Sequence, residues 1–278
     1  MANIHELTTD LITSFTNPTV KRARRLADRR HRRREGAFLV EGLQPVWRAV
    51  TAGWPIETLV VAPELLVNPA GRDLVATQER AGTPVARVSR EVFLRISDRD
   101  GPAGLAGIVR GTVGGLPDLP PAGGSVLVAL HRVGNPGNLG TIVRTADAAG
   151  AGAVILIGDT ADPLAPASVK ASMGSVFAVP VVQTPDLGYF FGWAREQHRP
   201  VCAATGVARE QHWDIRYPGS TVLLFGSEGD GLPPEVIAAC DRSVRIPMAG
   251  TADSLNLATA VAILLYEVAR DRRPDRLR

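Results

Sequence analysis

From residue 125 onward the chain alternates between short apolar runs and longer helix-patterned stretches, and this alternation limits the available folds more than any other feature. Runs at 126–130, 153–157, 200–204, 221–225 and 243–246 are strand candidates, and 221–225 has the length and composition of a buried strand. Residues 141–149, 166–173, 187–197, 234–240 and 256–270 read as helices. Apolar strands separated by helices predict a mostly parallel α/β sheet covered on both faces.

A second, smaller domain precedes this one. Residues 111–124 hold five glycines and three prolines in fourteen positions, the composition of a linker. Before them, strand-like runs at 37–41, 57–62, 84–88 and 105–109 alternate with helical stretches at 43–52 and 72–81, which predicts a small α/β or α+β domain. The expected division is therefore a basic arm at 1–34, a small domain at 35–110, a linker at 111–124 and a parallel-sheet domain at 125–278.

Three polar constellations fall at the ends of predicted strands in the second domain. The run 221–225 ends in Gly226-Ser227-Glu228-Gly229, where bare backbone can lie against a ligand. The run 243–246 stops at Pro247, and Met248 begins a loop to Ser254, whose hydroxyl is placed to cap the following helix, with Asn256 in its first turn. Residues 126–130 lead through a loop containing Asn138 to a helix at 141–149 that carries Arg144. Asn138 and Arg144, six apart, are read as lying nearly two turns apart on the same broad helix side. Singly, each residue has an ordinary explanation: Arg144 a surface ion pair, Glu228 a turn, Ser254 and Asn256 helix-start polars.

Together and in this order, Asn138-x5-Arg144, Gly226-Ser227-Glu228-Gly229 and Ile246-Pro247-Met248 through Ser254-Leu255-Asn256 resemble the three motifs of the SpoU/TrmH class of SPOUT RNA 2′-O-ribose methyltransferases. The resemblance implies a parallel α/β domain closed by a trefoil knot, S-adenosylmethionine as cofactor, and a homodimer formed through the C-terminal domain. It assigns Asn138, Arg144, Glu228, Ser254 and Asn256 to catalysis and substrate. The cofactor pocket falls to Leu224, Gly226, Ser227, Gly229, Ile246, Met248, Leu255 and Asn256. Ala258 stands where many members have serine. Residues 17–21 and 38–42 resemble the family's L30e-like substrate-binding domain, which makes 23S rRNA the implied substrate, with tRNA the alternative.

Charge points to the same partner. Residues 21–34 hold nine cations, Lys21, Arg22, Arg24, Arg25, Arg29, Arg30, Arg32, Arg33 and Arg34, against one acid, Asp28; the remainder carries 22 basic and 27 acidic residues. Such a density suits a polyanion, and arginine's planar fork suits phosphate, so these nine are the candidate RNA contacts. The plainer alternative is a solvated helix face.

Other classes fit less well. No apolar run is long enough to span a bilayer and residues 1–10 lack a signal-peptide pattern, so a cytoplasmic protein is expected. Cys202 and Cys240 look like packing residues rather than a disulfide framework, and His5, His31, His131, His198 and His212 lack metal-ligand spacing, so no metal is expected. Trp47, Trp54, Trp193 and Trp213 read as core or groove anchors. Gly134-x-x-Gly137-x-x-Gly140 imitates a dinucleotide loop, but the spacing differs from Gly-x-Gly-x-x-Gly and leaves the other two motifs unexplained. A non-catalytic RNA-binding module on the same fold is the remaining rival. For the chemistry, arginine stays protonated in proteins, so Arg144 is assigned to phosphate holding and alkoxide stabilisation, and Asn138, Ser254 and Asn256 to orienting the ribose. Glu228 would fix Arg144 or a neighbouring loop, or accept the proton.

Overall fold

The structure, a computed structural model, describes residues 11–98, 100–120 and 124–271. The chain folds into two compact units: one runs up to Thr112 and takes in Leu164–Phe177, and the other comprises Val113–Pro163 and the chain from Ala178 onward.

The first unit opens with α1 (Pro18–Arg25) and α2 (Arg29–Glu35), followed by β1 (Ala37–Glu41), α3 (Leu43–Thr51), β2 (Ile56–Val61), α4 (Pro69–Arg80), β3 (Val85–Arg87), α5 (Arg90–Leu94) and β4 (Leu105–Arg110). Its sheet has the order β1-β4-β2-β3, with β4 antiparallel to both neighbours and β3 parallel to β2. Local chemistry sets the first two helices. Asn17 caps α1 through Thr19 N with Pro18 as its first residue, while Asp28 caps α2 through Arg30 N and His31 N, and Gly36 closes it at φ 59°. Val20 and Ala23 of α1 and Leu26, which caps it, are fully buried in one core with Val60, Ile108 and Phe93. Residues 18–35 are therefore part of a packed domain, not the separate arm expected; residues 1–10 lie outside the described set.

The second unit contains β5 (Leu127–His131), α6 (Pro136–Ala148), β6 (Ala153–Ile157), β7 (Val181–Thr184), α8 (Leu187–Glu196), β8 (Val201–Ala204), β9 (Glu210–Gln211), β10 (Val222–Phe225), α9 (Pro234–Ala239), β11 (Arg242–Arg245) and α10 (Leu257–Asp271); α7 (Pro166–Ser172) falls between β6 and β7 in sequence. The seven strands run in the order β7-β6-β5-β10-β8-β11-β9, all parallel. Ala129, Ile155 and Leu224 share one core with Phe190 and Ala194 of α8 and Val236 of α9. Val128, Val154 and Leu223, turned the other way by the two-residue repeat, are equally buried. Helices α6 and α10 pack on each other and against β6 and β10. This is the covered parallel sheet that the alternation predicts.

Three local readings change. Helix α6 begins at Pro136 rather than 141: Asn135 caps it through Gly137 N and Asn138 N, and Pro136 presets the first turn. The supposed linker is largely built into the second unit, because Leu116 is buried in its core and Gly114 bridges Val182. Most unexpectedly, the segment containing α7 belongs to the first unit. Phe177 packs on Phe38 and Trp54, with ring centroids 6.1 and 5.3 Å away, and its carbonyl accepts from Trp54 Nε1 at 3.3 Å. Gly174, at φ +86°, lies so close to Arg48 that a Cβ there would meet the Arg48 side chain at 2.9 Å.

Cys202 is buried and Cys240 half-buried, and burial pushes both thiols up to about 12, as suits packing residues. Trp47 and Trp213 are about half exposed rather than the anchors expected. Among the described residues, no helix is long and apolar enough to cross a membrane, and no group of three or more His, Cys, Asp or Glu is placed to hold a metal ion.

Candidate active site

Because all seven strands are parallel, the segments leaving their carboxyl ends emerge along one edge of the sheet, where open α/β sheets bind ligands. Four matter here: the loop after β5 leading to Asn138, the turn after β10 at Gly226–Gly231, the loop after β11 running to Asn256, and the end of β8, which lies between β10 and β11. Sequence reading missed the last of these. Thr205 follows β8 and donates its N–H to Val244 O at 2.9 Å, which seats it beside the β11 loop. The only local signal was Gly206 at the end of an apolar run.

One hydrogen-bond chain ties three of these segments together. Glu228 Oε1 accepts from Asn135 N at 3.2 Å and from Asn138 Nδ2 at 3.0 Å, while Oε2 accepts from Gly134 N at 3.2 Å. Asn138 Oδ1 accepts from Asn256 Nδ2 at 3.0 Å. Asn256 Oδ1 accepts from Ala258 N at 2.9 Å and Thr259 N at 3.4 Å, so Asn256 caps α10. Asn138, Glu228 and Asn256 are thus brought together as the motif reading expects. Partial desolvation pushes the Glu228 carboxyl up, but hydrogen bonds from the Asn138 side chain and from the N–H groups of Glu228, Gly134 and Asn135 outweigh it and hold the group below the usual carboxylate range.

The other candidates divide. Ser254 is not the helix cap: α10 starts at Leu257, one residue after Asn256, and Ser254 is exposed in the preceding loop. Arg144 is exposed on α6. Six residues at 100° each set it about 120° round the helix from Asn138, so the two do not share a side as the spacing was read. Neither Arg144 nor Glu228 contacts the other through any described hydrogen bond; Glu228 fixes the loop instead.

Gly226 is a steric necessity, since a Cβ there would land on the Gly231 carbonyl. Gly229 has open space around it. Ser227 closes the turn, its carbonyl accepting from Gly231 N and its hydroxyl from Asp230 N, each at 3.2 Å. Leu224 is fully buried within β10, paired with Ala129 and Ala203, so the structure does not bring it to the edge as a pocket residue, and Ile246 is half-buried. Met248 and Leu255, by contrast, stay 38% and 37% exposed. The backbone N–H groups from Met248 to Leu255 donate to no described residue. Exposed apolar side chains beside unpaired amides suit a ligand with an apolar body and polar edges.

The basic candidates are also sorted. Lys21, Arg24, Arg25, Arg30, Arg33 and Arg34 are exposed, and Arg29 is half-buried. Arg22 is held by Glu35 and Glu57 at 2.8 and 2.6 Å. Arg32 is 5% exposed and donates to Leu26 O and Ala27 O at 2.9 and 2.6 Å. Arg22 therefore fastens the helix pair to β2 through Glu57 and Arg32 ties α2 to the turn after α1, and both are withdrawn from the candidate RNA face.

Known proteins share both units. Residues 125–266 match the SpoU rRNA Methylase family and residues 17–107 the MRM3-like substrate binding domain. An AdoMet-bound rRNA methyltransferase from Sinorhizobium meliloti is 40% identical in sequence and superposes with a TM-score of 0.85 over 95% of this chain and 98% of that one. The 23S rRNA (uridine(2479)-2′-O)-methyltransferase of Streptomyces viridochromogenes is 33% identical over 89% of this chain and 87% of its own length. The 23S rRNA (guanosine(2553)-2′-O)-methyltransferase RlmP of Bacillus subtilis is 28% identical over 92% and 98%. The fold is that of a methyltransferase joined to a substrate-binding domain. The chain belongs to the SpoU rRNA methylase family.

Proposed function

We propose that the protein transfers a methyl group from S-adenosylmethionine to a ribose 2′-hydroxyl of 23S rRNA. The observation that carries this reading is the chain Glu228–Asn138–Asn256, which joins all three motif segments at the carboxyl edge of the sheet. The pocket residues fit the cofactor: the turn at Gly226, the unpaired amides from Met248 to Leu255, and the apolar Met248 and Leu255 would hold it. When bound, it supplies a methyl already activated on a sulfonium. The protein's own task is positioning and charge stabilisation.

Glu228, ionised and bonded through both oxygens by three donors, is a positioning residue. It fixes the loop and the Asn138 amide, and through Asn138 it fixes Asn256. A carboxylate held below its usual range by these donors is a poor base, so the proton-acceptor role weighed from sequence is set aside. Arg144, permanently cationic and solvent-facing, would hold a phosphate beside the target and stabilise the developing alkoxide. Ser254, in the loop before α10, would meet the ribose from the RNA side. The exposed cations of α1 and α2 would hold RNA phosphates. The family resemblance extends this reading to a homodimer formed through the second unit, a trefoil knot at its carboxyl end and a cytoplasmic location; sedimentation of the purified protein checks the dimer.

Mapping 2′-O-methylated nucleotides by mass spectrometry in rRNA from cells with and without the gene tests the proposal. One 23S position should lose its methyl group and regain it with purified protein and S-adenosylmethionine. An unchanged 23S map, or a loss found in tRNA instead, would overturn it.

A further inference from the structure

The edge that carries the candidate site ends in an exposed aromatic that the mechanism leaves unused. Strand β9 is the last in the sheet and pairs in parallel with β11, Val244 opposite Glu210 and Arg245 opposite Gln211. The chain leaving β9 therefore emerges at the same edge as the chain leaving β11 toward Met248 and Asn256. His212 N donates to Arg245 O at 2.9 Å, which places the next residue, Trp213, beside the start of that loop.

Trp213 is held through its neighbour His212 while about half of its surface stays open to solvent. The His212 ring, 6% exposed, meets it edge-on with centroids 4.7 Å apart, and the His212 carbonyl accepts from Tyr217 Oη at 2.8 Å. The indole nonetheless remains 51% exposed. Arg209, just before β9, and Arg245, at the end of β11, are exposed, and neither guanidinium has a described hydrogen bond or ion pair. Glu210 and Asp214 are exposed here too, so the patch is not a strongly positive field. Its distinguishing feature is a large exposed π-face on a segment preceded in sequence by Arg209 and bonded through His212 to the Arg245 carbonyl.

A duplex keeps its bases stacked inside and offers such a face nothing, whereas an unpaired nucleotide stacks on an aromatic and places its phosphates near cations. We propose that Trp213, with Arg209 and Arg245, is a stacking platform for an unpaired nucleotide of the RNA substrate next to the target ribose. This rests on the reading of the chain as an RNA methyltransferase, but its decisive test is binding alone.

The full-length protein would be titrated with single-stranded oligouridylate and with the same strand annealed to oligoadenylate, following tryptophan emission. Single strand should quench the wild type more than duplex does, and the excess should vanish in Trp213→Phe. Trp213→Ala should weaken single-strand binding about tenfold, with Trp213→Phe recovering most of it, while duplex and S-adenosylmethionine affinities stay unchanged. If Trp213→Ala is poorly folded, Arg245→Gln in the wild-type background should lower single-strand affinity alone. Equal quenching by both probes, equal losses on both, or a parallel loss of S-adenosylmethionine affinity would overturn the platform. A wild type that stacks oligouridylate yet methylates no rRNA would count against the proposed activity and leave the platform standing.

Discussion

Glu228 sits between glycines, where sequence alone allows a turn residue, a clamp or a base. Its three donors decide among these, because a carboxylate already paired through both oxygens is stabilised as the anion. Its pKa lies below the ordinary value of 4.5, so the stability it contributes is complete above that value and is lost only as pH falls through the lower folded value. Glu228→Gln should therefore slow methyl transfer without altering the shape of the rate–pH profile between about pH 6 and 9. A profile that loses a limb with the substitution would restore Glu228 as a titrating catalyst. Arg144 makes no described hydrogen bond that its loss would break within the fold. Arg144→Ala should leave S-adenosylmethionine affinity nearly unchanged and lower kcat at least about a hundredfold, as removal of an interaction made in the transition state requires. Calorimetry beside single-turnover rates separates the two, and unchanged turnover would remove Arg144 from the mechanism.

Elements were legible where one stretch of sequence determines them and obscure where a neighbour does. The apolar runs that form β5, β6, β8 and β10 stood out by composition and β11 by its place before Pro247, although only Val244 of β11 is buried; β7 and the two-residue β9 exist through pairing with β6 and β11, which no local pattern announces. The start of α6 was hidden because Gly137 and Gly140 lower helix propensity, although Asn135-Pro136 is a strong start signal. The same limit applies to the basic run. Its charge could be counted, but which arginines face water depends on how α1 and α2 lie on the core. Neutralising Arg24, Arg25, Arg30, Arg33 and Arg34 to Gln should flatten the slope of log RNA affinity against log salt by up to about 0.9 for each phosphate no longer neutralised. Arg32→Gln should do something different. It deprives Leu26 O and Ala27 O of their donor inside the fold, which should cost about 1–3 kcal/mol of stability and leave the salt slope unchanged. Equal slopes for the five-fold variant and the wild type would return the helix pair to the status of a solvated face.

At the scale of the whole molecule, the alternation of strands and helices revealed the class of the second unit, but not the order β7-β6-β5-β10-β8-β11-β9 or the place of residues 164–177. Strand order depends on residues far apart in sequence, and a segment between two strands of one sheet gives no local sign that Val176 and Phe177 pack with another unit. This division of the chain makes a prediction about where the methyltransferase unit can be cut. All motif residues lie in the second unit, so a fragment retaining it should bind S-adenosylmethionine. A cut at 125, at the end of the apparent linker, removes Leu116, which is 1% exposed in that unit's core, together with the Gly114–Val182 bridge. Losing a buried leucine costs about 2–5 kcal/mol, or roughly 4–20 °C in Tm for a unit of this size. Any such fragment also uncovers Val176 and Phe177, so Val176→Thr and Phe177→Ser should be included to keep it soluble. With these changes, the fragment 113–278 should melt well above 125–278, and both should bind S-adenosylmethionine when folded, as scanning calorimetry and titration would show. Equal melting temperatures would mean that residues 113–120 are a linker after all, and a folded 113–278 fragment that fails to bind the cofactor would mean that the unit is incomplete as its packing defines it.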